Sequence, residues 1–273
     1  MPLFQSAQQV ANAKSLQTFF QPILELDKEV LRLMAFEGFC HGSDAGNPEF
    51  GGDHAQDNTI LDMAYLGQVL EIAQELPENA FISLNIQKST LVLQPEFPTH
   101  FLDWLAIAGM PPTRFILEVN TQNGPGQGTE HLDVLQNLRS HGVKVALDDV
   151  GIGRTNLDQI LEIRPDILKL SPMLTQGLLH DPYRQAILEA LVDMTRKTGG
   201  RILAKNLESV DDFRIARWMG VALFQGYLFA VPGPIALWRE HPFPQEWPLR
   251  SFMRRPARMA PPLPESISPD RIH

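Results

Sequence analysis

The sequence predicts an α/β fold whose strands close into a barrel, with one strand antiparallel to its neighbours. Short apolar runs of β type alternate with amphipathic helical segments, and this alternation indicates parallel βαβ units. The length of 273 residues suits a single barrel, because such folds commonly occupy about 250 residues. Only Asp27–Val30 separates the first two predicted strands. That gap is too short for a parallel crossover, so one of the two strands must be antiparallel.

The predicted elements follow in chain order, each strand from an apolar run and each helix from an amphipathic segment. The predicted strands are Thr18–Leu26, Leu31–Cys40, Phe81–Ile86, Arg114–Asn120, Val143–Asp149, Asp166–Leu170, Arg201–Ala204 and Ala222–Gln225. The predicted helices are Thr59–Glu75, Pro98–Ala108, Glu130–Ser140, Asn156–Ile163, Pro182–Thr198 and Val210–Met219. Strands at this spacing favour a closed barrel over an open sheet.

The chain is predicted to divide into three parts. Residues 1–17 form an N-terminal lead-in helix, residues 18–238 form the barrel domain, and residues 239–273 form a C-terminal tail. Eight prolines in the last 35 residues set the tail apart, since this density is typical of segments outside a packed core. The barrel domain therefore carries the whole predicted site.

Composition and charge narrow the function classes. The chain is 44% hydrophobic and 20% charged, which allows a sizeable core and excludes a disordered chain. A net charge of −9 argues against a nucleic-acid polymer as partner but leaves room for a small anionic ligand beside local cations. The single cysteine excludes an internal disulfide framework. No apolar run reaches the roughly 18 residues of a membrane span, and no signal-peptide layout opens the sequence. We therefore predict a cytoplasmic protein.

Polar residues stand at or near the C-terminal ends of the predicted strands. In a barrel of parallel strands these ends meet at one face, where the active sites of such folds lie. A single residue of this kind would usually face solvent, but a whole series predicts a shared site. The series comprises Glu37, Asn85, Glu118, Asp148, Asp149, Lys169, Lys205 and Gln225.

The adjacent residues Asp148 and Asp149 follow the apolar run VKVAL. Two neighbouring carboxylates at a buried strand end repel each other unless a cation lies between them. The other oxygen-bearing residues of the series, without a cysteine or a pair of histidines, point to Mg²⁺ or Mn²⁺ rather than zinc. The pattern thus predicts a cation at the mouth of the barrel.

Seven motifs occur in order between about Thr18 and Pro234: FQPILEL, AFEGF, SLNI, ILEVN, ALDDVGIG, DILKLS and FQGYLFAVP. Together they resemble the motif series of the EAL domain, the bacterial phosphodiesterase module for cyclic di-GMP. The resemblance implies a modified TIM (β/α)8-type barrel with one antiparallel strand. It also implies that the mouth binds cyclic di-GMP. Active members cleave this nucleotide to linear pGpG with two divalent cations that share a bridging water.

The resemblance also assigns roles to single residues. The implied metal ligands are Glu37, Asn85, Glu118, Asp148 and Asp149, with Asp148 bridging two ions. The implied ligand-binding residues are Gln21, Glu37, His41 and Gln225. Lys169 would steady the attacking water or the phosphate, and Glu208 would brace the loop after Asp149. Lys205 stands at a catalytic position of the family.

Lys205 is also the main departure from the family pattern. The stretch AKNLES aligns with A-E-G-V-E-T, so a lysine replaces the glutamate that binds the second metal. A divalent cation and an ammonium a few ångströms apart repel by several kcal/mol, even at an effective dielectric constant of about 20. We expect at most one Mg²⁺ or Mn²⁺ ion, or none. The Lys205 ammonium should lie within reach of Asp148 or Asp149 and stand in for the missing cation.

Other departures lie around the same site, and each replaces a residue of the family pattern: Gly38, Phe39, His41, Thr121, Ile152 and Ser171. His41 stands where the family has an arginine that contacts a phosphate of the ligand. Residues 41–56 replace a longer segment of the family. The motifs of the barrel core are retained, which favours a degenerate member whose hydrolytic chemistry has been lost.

Three functions follow from this pattern. The first is a degenerate EAL-domain protein that acts in cyclic di-GMP signalling as a nucleotide-binding effector or protein-interaction module, with little or no hydrolysis. The alternative is an active metal-dependent phosphodiesterase that produces pGpG, with another group serving the second metal. The third is an interaction module that binds no nucleotide. The predicted partners are cyclic di-GMP and a signalling protein, and a second copy of the chain, forming a homodimer, is a further alternative.

Overall fold

The computed structural model describes residues 17–41, 55–121, 129–151, 157–244 and 246–252. Several sequence features lie outside these ranges. They are residues 1–16 of the predicted lead-in, most of the rewritten segment 41–56, Ile152, and residues 253–273 of the predicted tail.

Within the described ranges the strands form one nine-stranded sheet, of which the first eight close into a ring. The strands are β1 Gln17–Asp27, β2 Val30–His41, β3 Phe81–Gln87, β4 Phe115–Asn120, β5 Lys144–Val150, β6 Ile167–Leu170, β7 Arg201–Ala204, β8 Leu223–Phe224 and β9 Glu246–Pro248. From β2 to β8, consecutive strands pair in parallel. The predicted α/β fold, a modified TIM (β/α)8-type barrel, is confirmed.

Strand β1 is the antiparallel member of the ring. It pairs with β2 along its whole length, from Gln17 opposite His41 to Asp27 opposite Val30. Its other edge pairs antiparallel with β8. Lys28, in the two-residue turn, has a φ of 56°, the left-handed conformation that the tightest hairpins use. The short gap between the first two strands therefore predicted their orientation correctly.

Helices separate the parallel strands along the chain, and two more follow the last of these strands. They are α1 Ala55–Ala73, α2 Lys88–Leu93, α3 Phe97–Ile107, α4 Glu130–Ser140, α5 Leu157–Ile163, α6 Pro172–Thr175, α7 Pro182–Thr198, α8 Val210–Trp218, α9 Ile235–Glu240 and α10 Leu249–Phe252. Helix α7 begins after Asp181, whose carboxylate accepts hydrogen bonds from two N–H groups of the first turn. No helix in the described ranges is both long enough and apolar enough to span a membrane.

The interior of the barrel contains an apolar floor, defined by Ile23, Met34, Ala35, Ile116, Ala146, Ile167, Leu203 and Leu223. Side chains alternate along a strand, so the residue two positions nearer the C-terminal end also points inward. Polar residues occupy those positions: Glu37, Glu118, Asp148, Lys169, Lys205 and Gln225 each follow a floor residue by two. On the antiparallel strand β1 the order is reversed, and Gln21 precedes Ile23. The fold thus places a polar layer directly above an apolar one.

Strand β9 extends the packed structure beyond the predicted end of the barrel domain. It pairs antiparallel with β2, and Trp247 and Leu249 are buried. The division predicted between residues 238 and 239 therefore falls inside α9 and leaves out residues that pack on the barrel. Pro248 does not prevent this pairing, because a residue without an N–H is tolerated on an edge strand.

Candidate functional site

A buried lysine joins two carboxylates at the mouth of the barrel. Lys169, on β6, donates a hydrogen bond of 2.8 Å from Nζ to Oε2 of Glu37 and another to Oε2 of Glu118. Ser83 donates its hydroxyl to the second oxygen of Glu118. The three ionisable side chains are at most 6% exposed. A lysine charge is tolerated at this depth because it is paired with and hydrogen-bonded to two carboxylates.

Two buried carboxylates share one ammonium, and their pKa values differ as a result. Burial raises the pKa of Glu37, but the Lys169 charge and the hydrogen bonds from Lys169 and Gln225 together bring the pKa below its ordinary value. Burial and the charge of Glu37 raise the pKa of Glu118 to about 8. Burial would lower the pKa of Lys169, but Glu118 and Glu37 raise it. Lys169 therefore stays charged, and Glu37 retains its negative charge more readily than Glu118 does.

Amide side chains extend this network around Glu37. Gln225, just after β8, donates from Nε2 to Oε2 of Glu37 at 2.7 Å and to Oε1 of Gln21 at 3.2 Å. Gln21 donates in turn to the carbonyl oxygen of Ala230 at 2.8 Å. Asn85, on β3, donates to Oε1 of Glu37 at 3.1 Å. Glu37 is therefore the centre of the hydrogen-bond network.

A β-bulge turns Asp148 and Asp149 towards the same point. The pairing of β5 with β6 shifts register between Leu147 and Val150, and Asp149 has a φ of 53°. Adjacent side chains of a regular strand point to opposite faces, but a bulge re-aims one of them. Lys205 Nζ lies 2.7 Å from Oδ1 of Asp148 and 2.5 Å from Oδ1 of Asp149. The expected contact between this lysine and the two aspartates is confirmed.

The backbone around Lys205 is fixed by hydrogen bonds on both sides. The Thr175 hydroxyl donates to the Lys205 carbonyl oxygen at 3.2 Å, and the Leu207 N–H donates to the Gln225 carbonyl oxygen at 3.0 Å. Gly226 lies against this loop with a φ of 149°, and a Cβ there would come within 2.2 Å of the Leu207 backbone. Such a close approach requires glycine. Lys205 thus has a defined position rather than that of a solvated loop residue.

Electrostatics link the two clusters. Burial would lower the pKa of Lys205, but Asp148 and then Asp149 raise it above its ordinary value. Burial would raise the pKa of Asp148, but Lys205 and, next, Lys169 lower it. The Lys205 and Asp148 side chains are only 15% and 10% exposed, so water screens their attraction weakly. Both lysines therefore act on Asp148, and the mouth forms one charged site.

Two predicted site residues do not join the described network. Glu208 is exposed, and its carboxylate acts on Tyr227, whose pKa is raised by burial and by this charge. The loop that Glu208 is predicted to brace contains residues 152–156, which lie outside the described ranges. His41 ends β2, and its side chain is also outside the described part of the structure.

Three contributors are missing from the sequence prediction. Ser83 lies two residues before Asn85 on the same face of β3, so strand alternation could have indicated it. Tyr65 on α1 donates its hydroxyl to the Gly38 carbonyl oxygen beside the site. Thr175, on α6, fixes the Lys205 backbone. Tyr65 and Thr175 reach the mouth from helices, where no local pattern points to the site.

The mouth contains the types of ligand that a hard divalent cation prefers, but these ligands are not arranged to bind one. Carboxylate and amide oxygens are the donors that Mg²⁺ and Mn²⁺ prefer. However, the ammonium groups of Lys169 and Lys205 contact all four carboxylates of the site. Over the described ranges, no group of three or more His, Cys, Asp or Glu side chains is arranged to hold a metal ion. As they stand, these residues do not fit a resident divalent ion.

Comparison with known proteins identifies similar chains. The family model described as EAL domain matches residues 5–232. YkuI, an uncharacterized EAL-domain containing protein of Bacillus subtilis, is 27% identical over 200 residues, which are 72% of this chain and 47% of that protein. BluF, a blue light- and temperature-regulated antirepressor of Escherichia coli, is 25% identical over 215 residues, with coverages of 77% and 53%. The chain thus spans about half the length of these curated relatives.

Solved structures give the same relationship. BlrP1 of Klebsiella pneumoniae, in complex with calcium and cyclic di-GMP, superposes with a TM-score of 0.73 at 26% identity, covering 81% of this chain and 56% of that one. Its complex with manganese and cyclic di-GMP gives a TM-score of 0.72, also at 26% identity, with coverages of 80% and 56%. Both complexes contain a divalent ion together with the nucleotide.

Proposed function

The chain belongs to the EAL domain family, and we propose that it acts in cyclic di-GMP signalling as a degenerate member with little or no hydrolysis. In this role the barrel mouth binds the nucleotide, and the protein is an effector or a protein-interaction module. Membership of the family and the BlrP1 complexes with cyclic di-GMP support the choice of ligand.

The proposed loss of hydrolysis is supported mainly by the position of Lys205. Its ammonium lies between the carboxylates of Asp148 and Asp149. A pair of divalent ions needs carboxylate oxygens to bind them, and an ammonium at the same point opposes that binding by charge repulsion. A mouth arranged in this way favours nucleotide binding over cleavage.

The remaining polar layer supplies groups for recognition. We assign ligand binding to Gln21, Glu37, His41 and Gln225. Glutamine side chains both donate and accept hydrogen bonds, as the edge of a guanine base requires, and Glu37 accepts them. Lys205 adds positive charge for a phosphate. In this proposal the catalytic roles that the family gives to the positions of Lys169, Lys205 and Glu208 are lost together with hydrolysis.

The proposed need for metal is small. One Mg²⁺ or Mn²⁺ is the most that Glu37, Asn85, Glu118 and Asp148 would bind, because Asp149 is paired with Lys205. Such an ion would also compete with Lys169 for its two carboxylates. We therefore propose weak binding of a single ion or none.

A protein partner and a cytoplasmic location complete the proposal. BluF is described as an antirepressor, and a relative with that description supports a role in protein contact. The second messenger cyclic di-GMP acts inside bacterial cells, and this supports the cytoplasmic location that we propose. A homodimer is compatible with either role.

An active phosphodiesterase is the second candidate. The network of Glu37, Asn85 and Lys169 favours it, because these residues of the family's site are present and hydrogen-bonded to one another. In that case another group would bind the second metal in place of the residue at position 205.

Calorimetry with cyclic di-GMP, with and without Mg²⁺, followed by product analysis for pGpG, separates these functions. Binding without pGpG in both conditions is the expected result. Rapid formation of pGpG with Mg²⁺ would establish the phosphodiesterase instead. Absence of binding in both conditions would refute the nucleotide effector and leave the pure interaction module.

A further inference from the structure

We propose that Lys205 is a built-in counter-ion for Asp148 and Asp149, which makes the folding of the barrel mouth and its affinity for a phosphodiester independent of divalent metal. The identity of the phosphodiester as cyclic di-GMP rests on the proposed function. The counter-ion role itself rests only on the contacts within this chain.

The two aspartates need a cation because the backbone brings them together. The bulge in β5 and the positive φ of Asp149 let two consecutive carboxylates approach one point. Asp148 is buried and the Asp149 side chain is 26% exposed. Two such charges repel strongly in a setting where water screens them poorly. A barrel that keeps this geometry therefore requires a positive charge beside it.

Lys205 provides that charge at hydrogen-bonding distance from both carboxylates, 2.7 Å from Asp148 and 2.5 Å from Asp149. Thr175 and Leu207 fix the backbone on either side, through the Lys205 carbonyl oxygen and the Leu207 N–H. The lysine is thus placed by the fold, and its charge arrives with the chain rather than from solution. This is why the mouth has no need of a metal ion for stability.

An ammonium has three N–H donors; one of them makes the hydrogen bond to Asp148, while Asp149 is held as an ion pair. A remaining donor can meet an oxygen of a phosphodiester that enters the mouth. The Lys205 side chain is 15% exposed, so a ligand can reach it while bulk water screens it little. The same residue therefore both stabilises the empty mouth and offers a hydrogen-bond donor to an anionic ligand.

Melting temperatures with Mn²⁺ and with EDTA test the counter-ion role. The parent protein should melt at the same temperature in both conditions. Lys205→Met should lower the melting temperature in EDTA by about 5 °C or more. Mn²⁺ should restore much of that loss by binding the two carboxylates that the substitution leaves without a counter-ion. Lys205→Glu should show a larger loss and a larger recovery, because a third carboxylate joins the other two. Lys197→Met removes an exposed lysine of α7 and should change neither value.

The double variant Lys205→Met with Asp149→Asn covers the case in which a single variant fails to fold. It removes the repulsion between the two carboxylates together with the cation, so in EDTA it should melt above Lys205→Met, and it should respond to Mn²⁺ less than Lys205→Met does. A Lys205→Met protein that is as stable as the parent in EDTA would overturn the proposal. So would a double variant that is no more stable than the single one.

Calorimetry with cyclic di-GMP in EDTA tests the ligand part. The parent should bind as well in EDTA as in Mg²⁺, and Lys205→Met should lose about tenfold or more in affinity, which is the usual scale for a charged hydrogen bond. Binding by the parent only with Mg²⁺ would overturn metal-independent affinity. Absence of binding in every condition would refute the proposed function, while the melting temperatures would still decide the role of Lys205.

Discussion

Lys169 Nζ donates a 2.8 Å hydrogen bond to Glu37 across 132 residues of the chain, and both side chains are buried. Lys169→Met should lower the free energy of unfolding by roughly 3–5 kcal/mol, since the buried charge of Glu37 would lose the cation that neutralises it and Glu118 would lose a hydrogen-bond donor. Urea denaturation at neutral pH measures this change. Lys197→Met is the matched control, and we expect it to stay within about 0.5 kcal/mol of the parent.

The cost of Lys169→Met should also shrink as the pH falls. Without the lysine, protonation neutralises the two buried glutamates, whereas in the parent the Lys169 charge holds the pKa of Glu37 below its ordinary value. A gap that stays constant from neutral to mildly acid pH would contradict the idea that the lysine acts through its charge.

Gly38 lets α1 pack closely on β2. A Cβ at this position would lie 2.6 Å from Cγ1 of Val69, a buried residue of α1. Gly38→Ala should therefore destabilise the protein by about 1–3 kcal/mol. The double variant with Val69→Ala should lose less than the sum of the two single variants, because the clash is removed. Urea denaturation of all four proteins gives this coupling, and additive losses would show that the helix adjusts freely.

Asp62 is a buried carboxyl on α1 that accepts hydrogen bonds from the Gln87 N–H at 2.9 Å and the Thr90 hydroxyl at 2.6 Å. Burial raises its pKa to about 6, and these two bonds only partly oppose the rise. In the unfolded chain the pKa of this carboxyl is near 4, so the protonated carboxyl stabilises the folded state fully below about pH 4. This stabilisation is lost as the pH rises through the folded-state pKa of about 6. The contribution is roughly 3 kcal/mol for two pKa units.

Asp62→Asn should remove this dependence, because the amide oxygen can accept both bonds and the group no longer ionises. Above pH 6 the variant should be the more stable protein, and the profile of its unfolding free energy from pH 4 to 7 should be flatter than that of the parent. Asp103→Asn changes an exposed aspartate of α3 and serves as the control. Parallel profiles for Asp62→Asn and the parent would contradict the assignment.

Cys40 is the single cysteine of the chain, and burial raises the pKa of its thiol to about 12. The thiolate is the reactive form, so at pH 8 an aromatic disulfide reagent should label the folded protein at least about 100-fold more slowly than the chain in urea. Cys40→Ser supplies the background. Equal rates with and without urea would place the thiol in a different environment.

The sequence predicted the fold where the local pattern was long enough to be unambiguous. The helices Glu130–Ser140 and Pro182–Thr198 match the structure to the residue. Helices such as α2 and α6 are too short to complete a periodic pattern. Strand β9 is three residues long and lies among prolines, so its pairing depends on the β2 edge rather than on its own composition.

The site was predictable in its members but less so in its contacts. Strand alternation directs Glu37, Lys169 and Gln225 into the barrel, and that direction can be read from the sequence. Their partners depend on closure of the ring, since Gln225 and Gln21 meet only when β8 pairs with β1. The sequence does not indicate the bulge that turns Asp149 towards Lys205. Aspartate occurs at the ends of strands as well as in left-handed positions, so its presence does not distinguish the two.

The apolar floor closes the barrel below its polar layer. Leu203, Leu223 and the other floor residues fill the barrel below the polar layer, so the barrel is a packed core and not a pore. A molecule that enters the mouth of the barrel must therefore leave on the same side. A protein bound over the mouth would prevent a nucleotide already inside from dissociating and would prevent a free nucleotide from entering.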